Sequence, residues 1–162
     1  DGLQQVLNPS QIFLEGRIPT AGTVVVAPLE GTRPLLVELQ ALVTRANFNL
    51  PRRQASGLDY NRILLLVAVL EKNFNLHLEN CDIFLNIAGG VKIYEPACDL
   101  GVIAAIYSGV KNRPIGEAEK LGFKTCILPS HNLKEFHEKR KIDLIGVSTV
   151  NEAIEKLHLG RA

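Results

Sequence analysis

Apolar and polar positions change their period several times along this chain, and each change marks an element. Thr23-Val24-Val25-Val26-Ala27 is β-branched and bounded by turn residues, which predicts a strand. Glu30-Gly31-Thr32-Arg33-Pro34 supplies turn chemistry, and residues 35–43 alternate well enough for a second strand, so the pair reads as a β-hairpin. Residues 51–62 form a polar, arginine-rich stretch read as a loop. It opens onto the apolar run 63–70, and Asp59 is placed to cap a helix that reaches Lys72. That helix is apolar nearly all round, which predicts a central position. Cys81-Asp82-Ile83-Phe84-Leu85-Asn86-Ile87 reads as a third strand, with Ala88-Gly89-Gly90 as the loop after it. Residues 97–107 are small and apolar and predict a second buried helix.

Towards the end, Glu117-Ala118-Glu119-Lys120-Leu121-Gly122 has the form of a helix end with a glycine cap. Residues 125–129 and 143–147 read as two further strands. Thr149 caps a final helix that carries Ile154 and Leu157 on one face. The order ββαβα, then αβ, then βα is that of one α/β (α+β) domain with a mixed sheet. Residues 1–19 are polar and interrupted by proline, a lead-in segment, with the domain proper spanning 20–162.

Composition narrows the class. A chain of 162 residues, 46% apolar, supports one domain with a real core. The net charge of +1 is too balanced to announce nucleic acid or membrane, but its distribution is uneven. From Gly31 to Arg62 there are five arginines against two acids; from Ile63 to Leu100 there are two lysines against five acids. Three widely spaced cysteines (Cys81, Cys98 and Cys126) offer no zinc-ligand spacing and no disulfide framework, which points to a reducing, cytoplasmic compartment. The run 63–70 is far too short to cross a bilayer. Methionine is absent throughout, which suggests a fragment or a processed form.

Arg33, Arg45, Arg52, Arg53 and Arg62 are the candidates for phosphate contact, because the planar guanidinium fork binds phosphate oxygens in pairs. Lys111 and Arg113 extend the basic set. Two other readings are open for these side chains: pairing with carboxylates of a neighbouring subunit, or simple solvation. Lys139-Arg140-Lys141 lies among acids and reads as a solvated face, and the four histidines show no ligand spacing. Gly89-Gly90 admits a phosphate nest, but a backbone turn before Val91 accounts for it better.

Taken in order, several motifs resemble one family. They are Gly31-Thr32-Arg33-Pro34-Leu35-Leu36-Val37-Glu38, Pro51-Arg52-Arg53, Gly57-Leu58-Asp59-Tyr60-Asn61-Arg62, Ala68-Val69-Leu70-Glu71-Lys72 and Ala88-Gly89-Gly90-Val91-Lys92. Glu95-Pro96-Ala97, Lys120-Leu121-Gly122-Phe123-Lys124 and Gly146-Val147-Ser148-Thr149-Val150 continue the match. Together they resemble the C-terminal domain of the bacterial RadA (Sms) DNA repair family. The likeness covers essentially the whole chain, and Asn8-Pro9-Ser10 resembles the joint leading out of that family's ATPase core. About twenty family residues are missing near 114–117, where Pro114-Ile115-Gly116 runs straight into Glu117.

The resemblance implies the fold of the Lon proteolytic domain, a variant of the ribosomal protein S5 domain 2-like fold. It implies a bacterial, cytoplasmic parent with a zinc finger and a RecA-like ATPase core. That parent would need Zn and ATP with Mg in parts absent here, form hexamers, bind single-stranded or branched DNA, and drive branch migration with RecA. No phosphate-binding loop and no cofactor site occur in these residues. Proteolysis is not expected. Lon proteases carry a serine nucleophile where this chain has Ala97, and Cys98, one residue on, is turned about 100° away on a helix. The expected roles are DNA contact and ring scaffolding. The alternatives are a purely structural oligomerisation module, or a residual peptidase.

Overall fold

The computed structural model describes residues 18, 20–31, 33–47, 50–115, 125–131, 133 and 143–157. The lead-in segment up to residue 17, the helix end expected at 117–122 and the basic run 139–141 lie outside the described residues.

Four strands make the main sheet: β1 (Thr23–Val26), β4 (Val37–Arg45), β5 (Arg53–Ser56) and β6 (Cys81–Ile87), in the order β1-β4-β6-β5. β1 and β6 run antiparallel to β4, and β5 runs parallel to β6, so the sheet is mixed. The expected hairpin forms, with a longer tip than the turn residues suggested. β2 (Leu29–Glu30) and β3 (Arg33–Pro34) pair with each other around Gly31 before the chain re-enters the sheet.

The segment 51–62 is not all loop, because Arg53–Ser56 forms the edge strand β5. The Ile83 N–H donates to the Arg52 carbonyl at 2.9 Å and begins that pairing. As an edge strand β5 turns only alternate residues inward, and the one apolar residue among them is Ala55, so composition concealed it.

Strand register divides the sheet into two faces. One face carries the rows Val24–Leu39–Ile87, Ala41–Leu85–Ala55 and Val43–Ile83–Arg53. Two helices cover it, α1 (Tyr60–Phe74) and α2 (Asp99–Lys111). α2 is buried continuously from Val102 to Ser108, and the Phe74 and Tyr107 rings meet edge-on at 5.3 Å between centroids to join the two helices. The Asp59 side chain caps α1 by accepting from the Arg62 N–H at 2.7 Å. The helix ends at Asn75, whose φ of 50° is left-handed.

α1 is not central. Only Ile63, Leu66, Val67 and Leu70 are buried, a single stripe at helical spacing, while Leu65 is 64% exposed and Tyr60 and Leu64 are also exposed. Its apolar composition exceeds what the sheet can cover.

Glycine is required where the main chain crosses tightly. Gly22 has φ +85°, and a Cβ there would fall 2.1 Å from the Ala41 carbonyl oxygen. Its N–H donates to the fully buried Ser108 hydroxyl at 2.9 Å, which ties the start of β1 to α2. β7 (Thr125–Pro129) and β8 (Asp143–Val147) form a separate parallel pair, followed by α3 (Val150–Lys156). Thr149 caps α3 by accepting from the Glu152 N–H, and Ile154 fixes the helix to the core.

Candidate nucleic-acid interface

Adjacent arginines on a strand must point to opposite faces, and this decides the fate of Arg52 and Arg53. Arg52 lies on the uncovered face. Its Nη2 and Nε donate to Asp82 Oδ2 at 2.6 and 3.1 Å, and its backbone N–H donates to Asp82 Oδ1 at 2.7 Å. Its Cζ stands over the Phe84 ring, 5.5 Å from the centroid. Asp82 is buried beneath it, with 3% of its side chain exposed, whereas Arg52 keeps 67%. The guanidinium hydrogen bond, then the Arg52 N–H, hold the Asp82 carboxyl below the usual carboxylate range. A guanidinium has five donors, and this pairing uses one edge of it. The other edge faces solvent.

Arg53 turns to the helix side. Its Nη2 donates to the Leu78 carbonyl at 2.6 Å, and its Nη1 donates to the carbonyls of Cys81 and Arg52. These carbonyls belong to the 3₁₀ turn Leu78–Asn80, the first residue of β6 and the residue just before β5, so Arg53 staples that corner together. Arg62, in the first turn of α1, makes a two-pronged pair with Asp99 at the start of α2. The Arg62 side chain remains 37% exposed.

Arg45, at the end of β4, differs from these three. Among the described residues no hydrogen bond or ion pair holds its side chain. It lines a cleft of about 370 Å³ with Val43, His77, Asn80, Cys81 and Val110. Lys111 follows Val110 and stands over the Tyr107 ring at 5.5 Å. Arg113 is exposed beyond the end of α2, where its carbonyl accepts from the Ser108 hydroxyl at 2.5 Å. The Arg33 side chain lies outside the described positions.

The seven candidates therefore do not form one patch. Arg45, Arg52 and Arg53 lie at the same end of the sheet, where β4 ends and β6 begins, but register puts Arg45 and Arg53 on the helix side and Arg52 on the open face. Arg62 lies at the other end of β6, whose seven residues span roughly 20 Å.

The composition-based reading missed Asp82, Phe84, Gln40 and Asn86. The signal was present in the alternation of 81–87, where the even positions Asp82, Phe84 and Asn86 had to share one face.

Ala97 is exposed within the 3₁₀ turn Pro96–Cys98 and offers only a methyl group. Cys98 is 3% exposed, and burial, then Glu95 and Asp99, push its thiol up to about 11. Such a thiol is almost wholly protonated at neutral pH. Among the described residues no group of three or more His, Cys, Asp or Glu is arranged to hold a metal ion, and no helix is long and apolar enough to cross a membrane.

No protein-family model matches the chain. Individual proteins do. The chain is 46% identical to the "DNA repair protein RadA" of Halalkalibacterium halodurans over 99% of its own length and 41% of that protein's. It is 43% identical to the protein of the same name from Bacillus subtilis, over 95% of this chain and 40% of the relative. For the Streptococcus pneumoniae protein the figures are 42%, 96% and 44%. The chain is homologous to RadA proteins. It spans about two-fifths of the length of the curated relatives it matches. The alignment with the H. halodurans RadA runs over 187 residues against 162 here, so that relative carries residues with no counterpart in this chain.

Proposed function

We propose that this chain is the C-terminal, Lon-protease-like domain of a RadA-type DNA repair ATPase, that it contacts DNA, and that it does no proteolysis. Arg52 carries the reading. Its guanidinium is already ordered by Asp82 and Phe84, yet most of its surface is free, so a phosphate can be met with little further loss of side-chain entropy. Arg45, Lys111 and Arg113 extend the basic end. Arg62 is a second contact for a longer strand, and Arg53 acts by holding the corner. The mechanism is phosphate neutralisation with counterion release.

In the parent protein, ATP with Mg and Zn would bind in parts outside this chain, and the assembled protein would drive branch migration with RecA. The family residues without counterpart here belong between 114 and 117 on this reading. Ala97 in place of the Lon serine, with Cys98 buried beside it, supports the absence of peptidase chemistry.

A scaffolding role in a hexameric ring is compatible with this, and the exposed apolar face of α1 (Tyr60, Leu64 and Leu65) favours self-association. The two roles separate by charge reversal. Arg45→Glu with Arg52→Glu should abolish the anisotropy change of a labelled single-stranded oligonucleotide and leave sedimentation unaltered. Lost assembly, with no wild-type DNA binding at low salt, would leave the oligomerisation module as the function. Cleavage of a fluorogenic peptide above blank would overturn the non-proteolytic reading.

A further inference from the structure

The sheet face opposite the helices has no cover among the described residues, and its surface is ordered. Register sets three rows across it: Thr23–Gln40–Asn86–Ser56, then Leu42–Phe84–Gln54, then Thr44–Asp82 with Arg52 beside them. Leu42 is 62% exposed and Phe84 is half-buried at its centre. The amides are already linked, since Asn86 Nδ2 donates to Gln40 Oε1 at 3.2 Å and Gln40 Nε2 donates to Glu38 Oε1 at 2.8 Å.

We infer that this face is a stacking platform for the bases of a single-stranded nucleic acid, with Phe84 and Leu42 as the apolar seat, the amides meeting base edges and Arg52 meeting the adjoining phosphate. The inference rests on the DNA-contact reading and specifies the form of the ligand. A half-buried aromatic ring on an open sheet, with a guanidinium over part of it and an exposed leucine beside it, suits a flat partner with an apolar face, polar edges and a negative backbone. Arg52 supplies the charge complementarity, and its pairing with Asp82 leaves its outer edge for a phosphate. A second copy of this chain fits less well, because a stable protein interface needs an apolar centre and about 800 Å² per partner. Here two apolar side chains stand among amides and hydroxyls. A duplex fits less well too, since its bases are stacked on one another.

The test compares a labelled thymidine oligonucleotide with an abasic strand of equal length, which carries the same phosphates without bases. The wild-type chain should bind the thymidine strand about tenfold more tightly, the effect of roughly one stacked base. Phe84→Leu should remove that preference and leave abasic affinity unchanged. Phe84→Trp should keep it. The chain has no tryptophan, so that variant also gives a single fluorophore whose emission a stacked base quenches. Should Phe84→Leu fail to fold, the quenching and the wild-type preference still decide the matter. Equal, salt-sensitive affinity for both strands would overturn the platform and leave the arginine contacts standing. Failure to bind either strand at low salt would overturn both. A change in sedimentation with Phe84→Leu, at unchanged strand preference, would assign the face to a second copy.

Discussion

Salt dependence separates a contact arginine from a structural one more sharply than affinity does. Consider a single strand short enough to engage only the end of the sheet where β4 finishes, meeting Arg52 on the open face and passing round the strand ends to Arg45 and Lys111 on the helix side. Each phosphate neutralised on a single strand contributes about 0.7 to the slope of log K against log salt, so three contacts predict a slope near −2. Arg45→Gln and Arg52→Gln should each reduce the slope by about 0.7. Arg53→Gln should lower the melting temperature and leave the slope alone, because its guanidinium is bonded to the carbonyls of Leu78, Cys81 and Arg52. Arg62→Gln, roughly 20 Å away along β6, should also leave the slope unchanged. The assay is anisotropy across a salt series with a thermal melt of every variant. Wild-type slopes in both Arg45→Gln and Arg52→Gln would refute the assignment. So would a loss of slope in Arg53→Gln at an unchanged melting temperature.

Other outcomes follow from the same geometry. Ser108→Ala removes the acceptor of the Gly22 N–H in a fully buried site and should cost about 1–3 kcal/mol, read by urea denaturation. Asp82 has its folded pKa below its unfolded value. Its contribution is therefore present above about pH 4 and lost as pH falls further, and Asp82→Asn should lack that part of the acid transition in a pH-dependent melt. Cys98 has the opposite sign. Its folded thiol titrates at about 11, so stability should fall between roughly pH 9 and 11, by about 2–3 kcal/mol, and Cys98→Ala should remove that alkaline loss. Native-state alkylation followed by mass spectrometry should label the exposed Cys126 well before Cys98.

Elements with a strong internal period were legible in the sequence. The strand at 81–87, the cap at Asp59 and the cap at Thr149 were expected from alternation and capping chemistry, and the structure has all three. β5 was not legible, because its four residues include one apolar side chain and its hydrogen bonds depend on β6, distant in sequence. The burial of α1 was overestimated because its sequence is apolar on faces that no element covers. At the candidate interface, arginine density located the basic region. It could not reveal which guanidinium groups were already bonded, since Asp82 and Asp99 lie 30 and 37 residues from their partners.

The Pro51-Arg52-Arg53 segment shows how one edge strand divides like charges between two tasks. Period-two geometry sends Arg53 to the helix side, where its guanidinium adds donors to the carbonyls of Leu78 and Cys81 and so ties that corner together. The same geometry sends Arg52 to the open face, above a carboxylate that would be costly to bury unpaired. Asp82 therefore holds the guanidinium in place without enclosing it. A register slip of one residue would exchange these roles, placing Arg52 against the helices and leaving Asp82 without its partner. The inward Ala55–Leu85–Ala41 row opposes that slip, so the hydrophobic core fixes the orientation of the basic surface.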